Sequence, residues 1–124
     1  MTIREVSEKY NISQAALRYY ERIGMIPPVT RTAGGVRDYQ EGDIEWVELV
    51  KCMRSAGLTV EAIAEYVRLC QEGDGTILAR LELLQSQMAL LQAQKDQINA
   101  AIDRLNFKIS RYETAAETGV LSWE

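Results

Sequence analysis

Read for apolar positions alone, the chain is a series of short amphipathic segments followed by one long heptad pattern. Ile3, Val6 and Tyr10 mark one face of a first short helix, opened by Thr2-x-x-Glu5, the spacing of a capping box. Asn11 and Ile12 make a turn, and Ser13 is suited to cap a second helix because its hydroxyl can accept from a free first-turn amide. Over residues 14–24 the apolar stripe is Ala16, Leu17, Tyr20 and Ile23. Gln14, Arg18 and Arg22 form a second stripe, with Ala15 and Tyr19 beside it. Gly24 suits the left-handed residue just past a helix end. Pro27 and Pro28 then forbid further helix, and Gly34-Gly35 between short extended pieces signals a hairpin turn. A third helix is predicted over 41–56, with Trp46, Leu49, Val50 and Met53 as its apolar arc. Thr59 caps a fourth, whose buried stripe is Val60, Ile63, Ala64, Val67 and Cys70.

Beyond a joint at 72–76, holding Gly73 and Gly75, apolar residues alternate spacings of four and three. The seam runs Ile77, Leu81, Leu84, Met88, Leu91, Lys95, Ile98, Ile102, Leu105, Ile109 and Tyr112, a heptad repeat. At ~1.5 Å per residue such a helix is roughly 50 Å long, more than one small domain can cover. A bare apolar stripe of that length implies a partner helix. Lys95 is the one charged residue in the seam, a position where polarity fixes register or orientation at some cost in stability. The pattern therefore predicts a mainly helical, all-α chain with a small β-wing. Its expected parts are a winged helix-turn-helix head over 1–71, a linker over 72–76, a coiled-coil dimerisation helix over 77–113 and a short tail over 114–124. The tail carries no assigned role, although Leu121 and Trp123 are suited to dock on the dimer.

A helix with one packed side and one side of Arg, Gln and Tyr is what a DNA major groove accepts. The alternative is a surface helix whose arginines are merely solvated. Helix, short turn, helix is the arrangement in which the second helix reads DNA. Across the hairpin Arg31 precedes the turn, while Arg37 and Tyr39 follow it, two apart, so that on a strand they would point the same way. A wing with guanidinium and phenol groups on one side would hold the sugar–phosphate backbone.

Net charge over 124 residues is −4, with a pI near 5.0, which is unusual for a nucleic-acid binder. The distribution changes that picture. Residues 1–40 carry six Lys/Arg against four Asp/Glu, whereas 41–72 carry three against seven and 73–124 five against seven. Only the segment holding the candidate reading helix is positive, and phosphate neutralisation is local. No run reaches the ~20 apolar residues of a membrane span, and no apolar signal core opens the chain, so a cytoplasmic protein is expected. With two cysteines, no histidine and no paired-Cys spacing, the chain offers no sound zinc motif, no disulfide framework and no His-based catalysis. No metal, no cofactor and no enzymatic activity are expected.

These residues resemble the MerR family of bacterial transcription regulators. The resemblance rests on Leu-Arg-Tyr-Tyr-Glu-Arg-Ile-Gly at 17–24, the Arg31…Gly35-x-Arg37-x-Tyr39 wing, Leu-Thr-Val-Glu-Ala-Ile at 58–63 and the long heptad helix. It covers nearly the whole chain. It implies a homodimer joined by an antiparallel coiled coil and bound to a pseudo-palindromic promoter with an overlong spacer, which it untwists so that RNA polymerase engages both elements. It places DNA contacts on Arg18, Tyr19, Arg37 and Tyr39. The residues themselves add Gln14, Arg22, Arg31 and Gly35. The expected dimer seam is Leu81, Leu84, Met88, Leu91, Lys95, Ile98, Ile102, Leu105 and Ile109.

The signal is read by elimination. Metal-sensing members of the family resemble one another in cysteines near the start of the dimer helix and after it, and here 73–80 and 113–124 hold none. What remains is Cys52, in a segment similar to the short subgroup that answers aldehydes or nitrosative stress through one thiol in the third helix. A thiolate attacks carbonyls and other soft electrophiles. On a helical wheel Cys52 lies off the apolar arc beside Glu45 and Glu48, and neither Lys51 nor Arg54 faces it. Other readings stay open: a half-buried structural cysteine, sensing of an oxidant, nitric oxide or an apolar ligand, and a coiled-coil adaptor whose head binds protein.

Overall fold

The computed structural model describes residues 1–124 and is helical apart from its loops. It divides into two compact units, Met1–Gln87 and Met88–Glu124. In the first, α1 (Ile3–Tyr10) and α2 (Gln14–Arg22) pack together. Thr2 caps α1 with the full capping box, its Oγ1 accepting from Glu5 N at 3.1 Å and Glu5 Oε1 accepting from Thr2 N at 3.0 Å. Asn11 closes α1 in the left-handed region at φ 53°. Two residues on, Ser13 Oγ accepts from Ala16 N at 3.0 Å to start α2.

The next two helices are α3 (Glu41–Ser55) and α4 (Val60–Glu72), which pack on each other. Val6, Leu17, Val47, Val50, Ile63 and Val67 lie at the centre of the core. In α3 the buried line is shifted from the expected arc. Val47 joins Val50 in the core, whereas Trp46 is only half-buried and meets the Tyr66 ring edge-on at 6.4 Å. In α4 Leu69 is buried and Cys70 half-buried. Met25, Ile26 and Val29 around the two prolines are also buried. That segment ends a helix, as the prolines require, and also supplies core.

The expected β-wing is reduced to a single antiparallel bridge, Arg31↔Arg37. The turn between them is closed by Gly35 N donating to Thr32 O (2.9 Å) and Thr32 N to Val36 O (2.8 Å), with Gly35 at φ +84°. An L-residue is strained at that φ, which explains a glycine there.

The joint after α4 is tied rather than loose. Residues Asp74–Thr76 form a 3₁₀ turn, the Thr76 hydroxyl donates to Leu69 O (2.5 Å), and Arg80 donates to Gly73 O (2.5 Å) and Thr76 Oγ1 (2.9 Å). From there α5 spans Ile77–Thr118. It outlasts the heptad pattern, because 113–118 is helix-competent although no longer apolar at seam spacing. Gly119 ends it at φ +80°, its N–H donating to Ala115 O at 2.7 Å.

Along α5 the seam is open. Leu81, Leu84, Met88, Ile98, Ile102, Leu105, Ile109 and Tyr112 are all exposed, with Lys95 among them, and Leu91 is half-buried. In the second unit the tail turns back on its own helix. Trp123 stacks on Phe107 (6.4 Å, 30°) and meets Tyr112 edge-on (5.9 Å, 74°), while the Arg111 guanidinium lies over Phe107 at 5.2 Å.

Candidate nucleic-acid interface

The basic stripe of α2 is built as its spacing requires. Leu17 is fully buried beneath the helix, so the opposite face turns outward. Arg18, Tyr19 and Arg22 are exposed and Gln14 half-exposed. They pair along the face: Arg18 Nη2 donates to Gln14 Oε1 at 3.4 Å, and the Arg22 guanidinium lies 5.3 Å from the Tyr19 ring centre. A cation over an aromatic face holds both groups in place at little cost in solvation. Positively charged and rich in planar donors, this face suits both phosphate and the edge of guanine.

The wing is held by carboxylates from two helices. On α3, Asp43 Oδ2 accepts from Gln40 N (2.9 Å) and Thr30 N (3.4 Å). On α2, Glu21 Oε2 accepts from Val29 N (2.8 Å) and Oε1 from Arg37 Nε (2.7 Å). Arg31 Nη2 lies 3.7 Å from the same Oε1, and Arg31 Nη1 donates to Gly35 O at 3.0 Å. The Glu21 side chain is only 12% exposed. Burial pushes its carboxyl upward, but the Arg37 hydrogen bond, the Val29 amide and the charges of Arg37 and Arg31 outweigh it, and the group is held below the ordinary carboxylate range.

Tyr39 differs from the sequence expectation. Its side chain is 1% exposed, and its hydroxyl is buried without a hydrogen-bond partner, so it offers no phenol to a bound ligand here. The expectation assumed a strand in which Arg37 and Tyr39 share a face. Both do turn to one side, but that side faces inward: Asp38 N to Thr30 O (2.7 Å) and Thr32 N to Val36 O (2.8 Å) make the bridge, Arg37 reaches Glu21, and Tyr39, whose N–H donates to Met1 O (2.7 Å), enters the core. Burial then pushes the phenol upward, against the partly offsetting charge of Arg37. Of the expected wing residues, Arg31 and Gly35 are exposed and Arg37 partly so.

Glu21 is the residue that the sequence reading passed over. It lies between the buried Leu17 and the basic stripe on the wheel, a lone acid at the edge of a basic face. Nothing local identifies its partners, which lie eight and sixteen residues away.

Cys52 is exposed on α3. The basic residues nearest in sequence are engaged elsewhere: Lys51 Nζ donates to Tyr10 O (2.6 Å) and Arg54 Nη1 to Leu58 O (2.7 Å). Glu48, one turn earlier, accepts from the Tyr10 hydroxyl at 2.7 Å. Cys70 is half-buried on α4, near Tyr66, whose phenol is pushed up chiefly by burial.

Comparison with known proteins agrees with this geometry. Residues 1–70 match the model of the MerR HTH family regulatory proteins, and 44–106 match the MerR DNA-binding model. The chain is 51% identical over 87 residues to the HTH-type transcriptional regulator AdhR of Bacillus subtilis, a match covering 70% of this chain. It spans 62% of that relative's length. Among solved structures, a MerR family transcriptional regulator from Listeria monocytogenes superposes with a TM-score of 0.91 at 43% identity, covering 96% of this chain and 90% of that one. HiNmlR, a MerR family regulator lacking the sensor domain and solved bound to promoter DNA, superposes at 0.84 with 29% identity, covering 97% and 95%.

Proposed function

The chain belongs to the MerR family of helix-turn-helix regulatory proteins, and from that premise we propose that it is a homodimeric, sequence-specific transcription regulator that distorts a promoter in response to a small electrophile. The observation that carries the reading is the α2 face. Gln14, Arg18, Tyr19 and Arg22 stand together on the outer side of a helix whose inner side is locked by Leu17. Residues 1–71 act as the head, 77–113 pair with a second copy along the open seam, and 72–76 join the two. A two-fold dimer reads a pseudo-palindrome, and a fixed spacing of two heads lets it bend or untwist the DNA between them. RNA polymerase is then affected through the DNA.

Cys52 is the sensor in this reading. Its exposure, and the absence of any metal-holding cluster of His, Cys, Asp and Glu, favour covalent chemistry at the thiol. The sulfur adds to an aldehyde carbonyl carbon, and the thiol proton ends on the carbonyl oxygen as a hemithioacetal. A promoter-binding and transcription assay with and without aldehyde, on wild type and Cys52→Ala, tests both halves. The expected result is DNA binding by both proteins and an aldehyde response by wild type alone. A full response by Cys52→Ala removes the sensor. Mass spectrometry of the modified thiol separates an aldehyde adduct from oxidation or nitrosation.

A further inference from the structure

Two arginines of the wing converge on one carboxylate, and they use it differently. Arg37 binds Glu21 through Nε alone, at 2.7 Å, and its two Nη amines donate to no protein group. Arg31 spends Nη1 on Gly35 O across the turn and turns Nη2 toward Glu21. The two lie opposite each other at the only bridge of the wing. Glu21 itself sits on α2, between the core and the basic stripe, and also takes the Val29 amide. Reading helix and wing are thereby fastened through one side chain.

We propose that Glu21 is the positioning residue of the DNA interface: it holds Arg37 by Nε so that the Nη pair is left for a backbone phosphate, and it makes Arg31 a brace of the wing turn instead of a phosphate contact. The proposal rests on the DNA-binding reading above. A guanidinium gripped along one edge keeps a second edge with two parallel donors, the geometry that a phosphate accepts bidentately. A lysine has no such second edge. With Arg31 committed to the turn, Arg37 is the wing's one phosphate contact, so the wing of each head neutralises about one phosphate, not two.

In this role Glu21 acts against the sign of simple electrostatics. Glu21 is a negative charge beside a polyanion's binding face. Were it only a charge, removing it would tighten binding. As a positioning group, its removal frees Arg37 to swing and weakens binding although the face has become more positive.

The test uses the full chain and a duplex enriched by the wild-type protein from a random-sequence pool, with binding followed by fluorescence anisotropy across a salt series. Glu21→Gln is expected to bind about tenfold more weakly per head, a coupling typical of residues in direct contact. In an Arg37→Gln background the same change is expected to cost little. Arg37→Gln lowers the slope of log affinity against log salt by about 1 per head, while Arg31→Gln leaves the slope unchanged. Arg37→Lys does not rescue. Glu21→Asp keeps the charge but withdraws the carboxylate by one methylene, and it weakens binding too. Thermal melts report whether each variant folds, and the Arg31/Arg37 slope comparison decides the point without altering Glu21. The proposal is overturned if Glu21→Gln binds as tightly as wild type or tighter, if its loss is equal with and without Arg37, or if Arg31→Gln lowers the slope as Arg37→Gln does. A wild-type protein that enriches no duplex removes the DNA-binding reading itself, and this proposal with it; wild-type binding with unresponsive variants removes the proposal alone.

Discussion

Ile98 and Ile102 lie next to one another on the α5 seam, 59% and 48% exposed in the single chain. Replacing both by alanine is expected to dissociate the dimer while leaving the head folded. Burying a whole Ile side chain is worth about 1.5–3 kcal/mol, so half-covered residues have about 1 kcal/mol left to gain on pairing. Alanine forfeits most of that at each site, and a symmetric dimer carries each substitution twice. The double variant thus loses about 4 kcal/mol of association, or about a thousandfold in dissociation constant. Sedimentation equilibrium over a wide concentration range measures it directly, and far-ultraviolet circular dichroism of the diluted variant reports whether the unpaired helix frays.

Leu90 supplies the control. It is 54% exposed, close to the two isoleucines, yet it stands outside the four-three spacing of the seam. Leu90→Ala removes a comparable apolar area and is expected to leave the dissociation constant within a few-fold of wild type. If Leu90→Ala weakens association as much as Ile98→Ala, the helix associates by unspecific greasy contact and the seam argument is wrong. A wild-type protein that stays monomeric at micromolar concentration would refute the reasoning more simply.

Other expectations follow from the head and the thiol. Leu17→Ala removes a fully buried side chain beneath the reading helix and should cost about 3 kcal/mol in urea denaturation. Ser13→Ala removes the acceptor of the Ala16 amide and should cost about 1 kcal/mol by the same measurement. The Glu21 carboxyl is held below its ordinary value of 4.5 in the folded state, so the stability it contributes is present above that value and disappears as pH falls through the lower folded one. Glu21→Gln should therefore flatten the acid limb of a stability–pH profile and leave its alkaline limb unchanged. Cys52→Ala, at an exposed site, should alter stability by no more than about 0.5 kcal/mol while abolishing aldehyde-dependent transcription.

Features legible in the sequence share one property: their partners are close in the chain or are not in the chain at all. The caps at Thr2 and Ser13 bind amides three residues on, so residue type and spacing suffice to find them. Leu17 and the Arg18 stripe follow from helix period alone. The wing was misread where a local rule is silent about which side meets the core. Alternation gives Arg37 and Tyr39 a common side but does not say which way that side looks, and in the fold it looks inward, Arg37 to Glu21 and Tyr39 into the core. Glu21 was invisible for a different reason, and so was the target of Trp123, expected on the dimer and found on its own helix. Their partners, Arg37 and Phe107, are fixed by tertiary folding, and no spacing rule links them. The seam is the instructive opposite. Apart from the half-buried Leu91 and from Tyr112, which meets Trp123, its residues lie exposed, so few intramolecular contacts distort their period, and an uninterrupted heptad is what a second copy of the same helix requires. The regularity of Leu81 through Tyr112 is best understood as the record of an interaction outside the single chain. The irregularity of the head is the record of interactions within it.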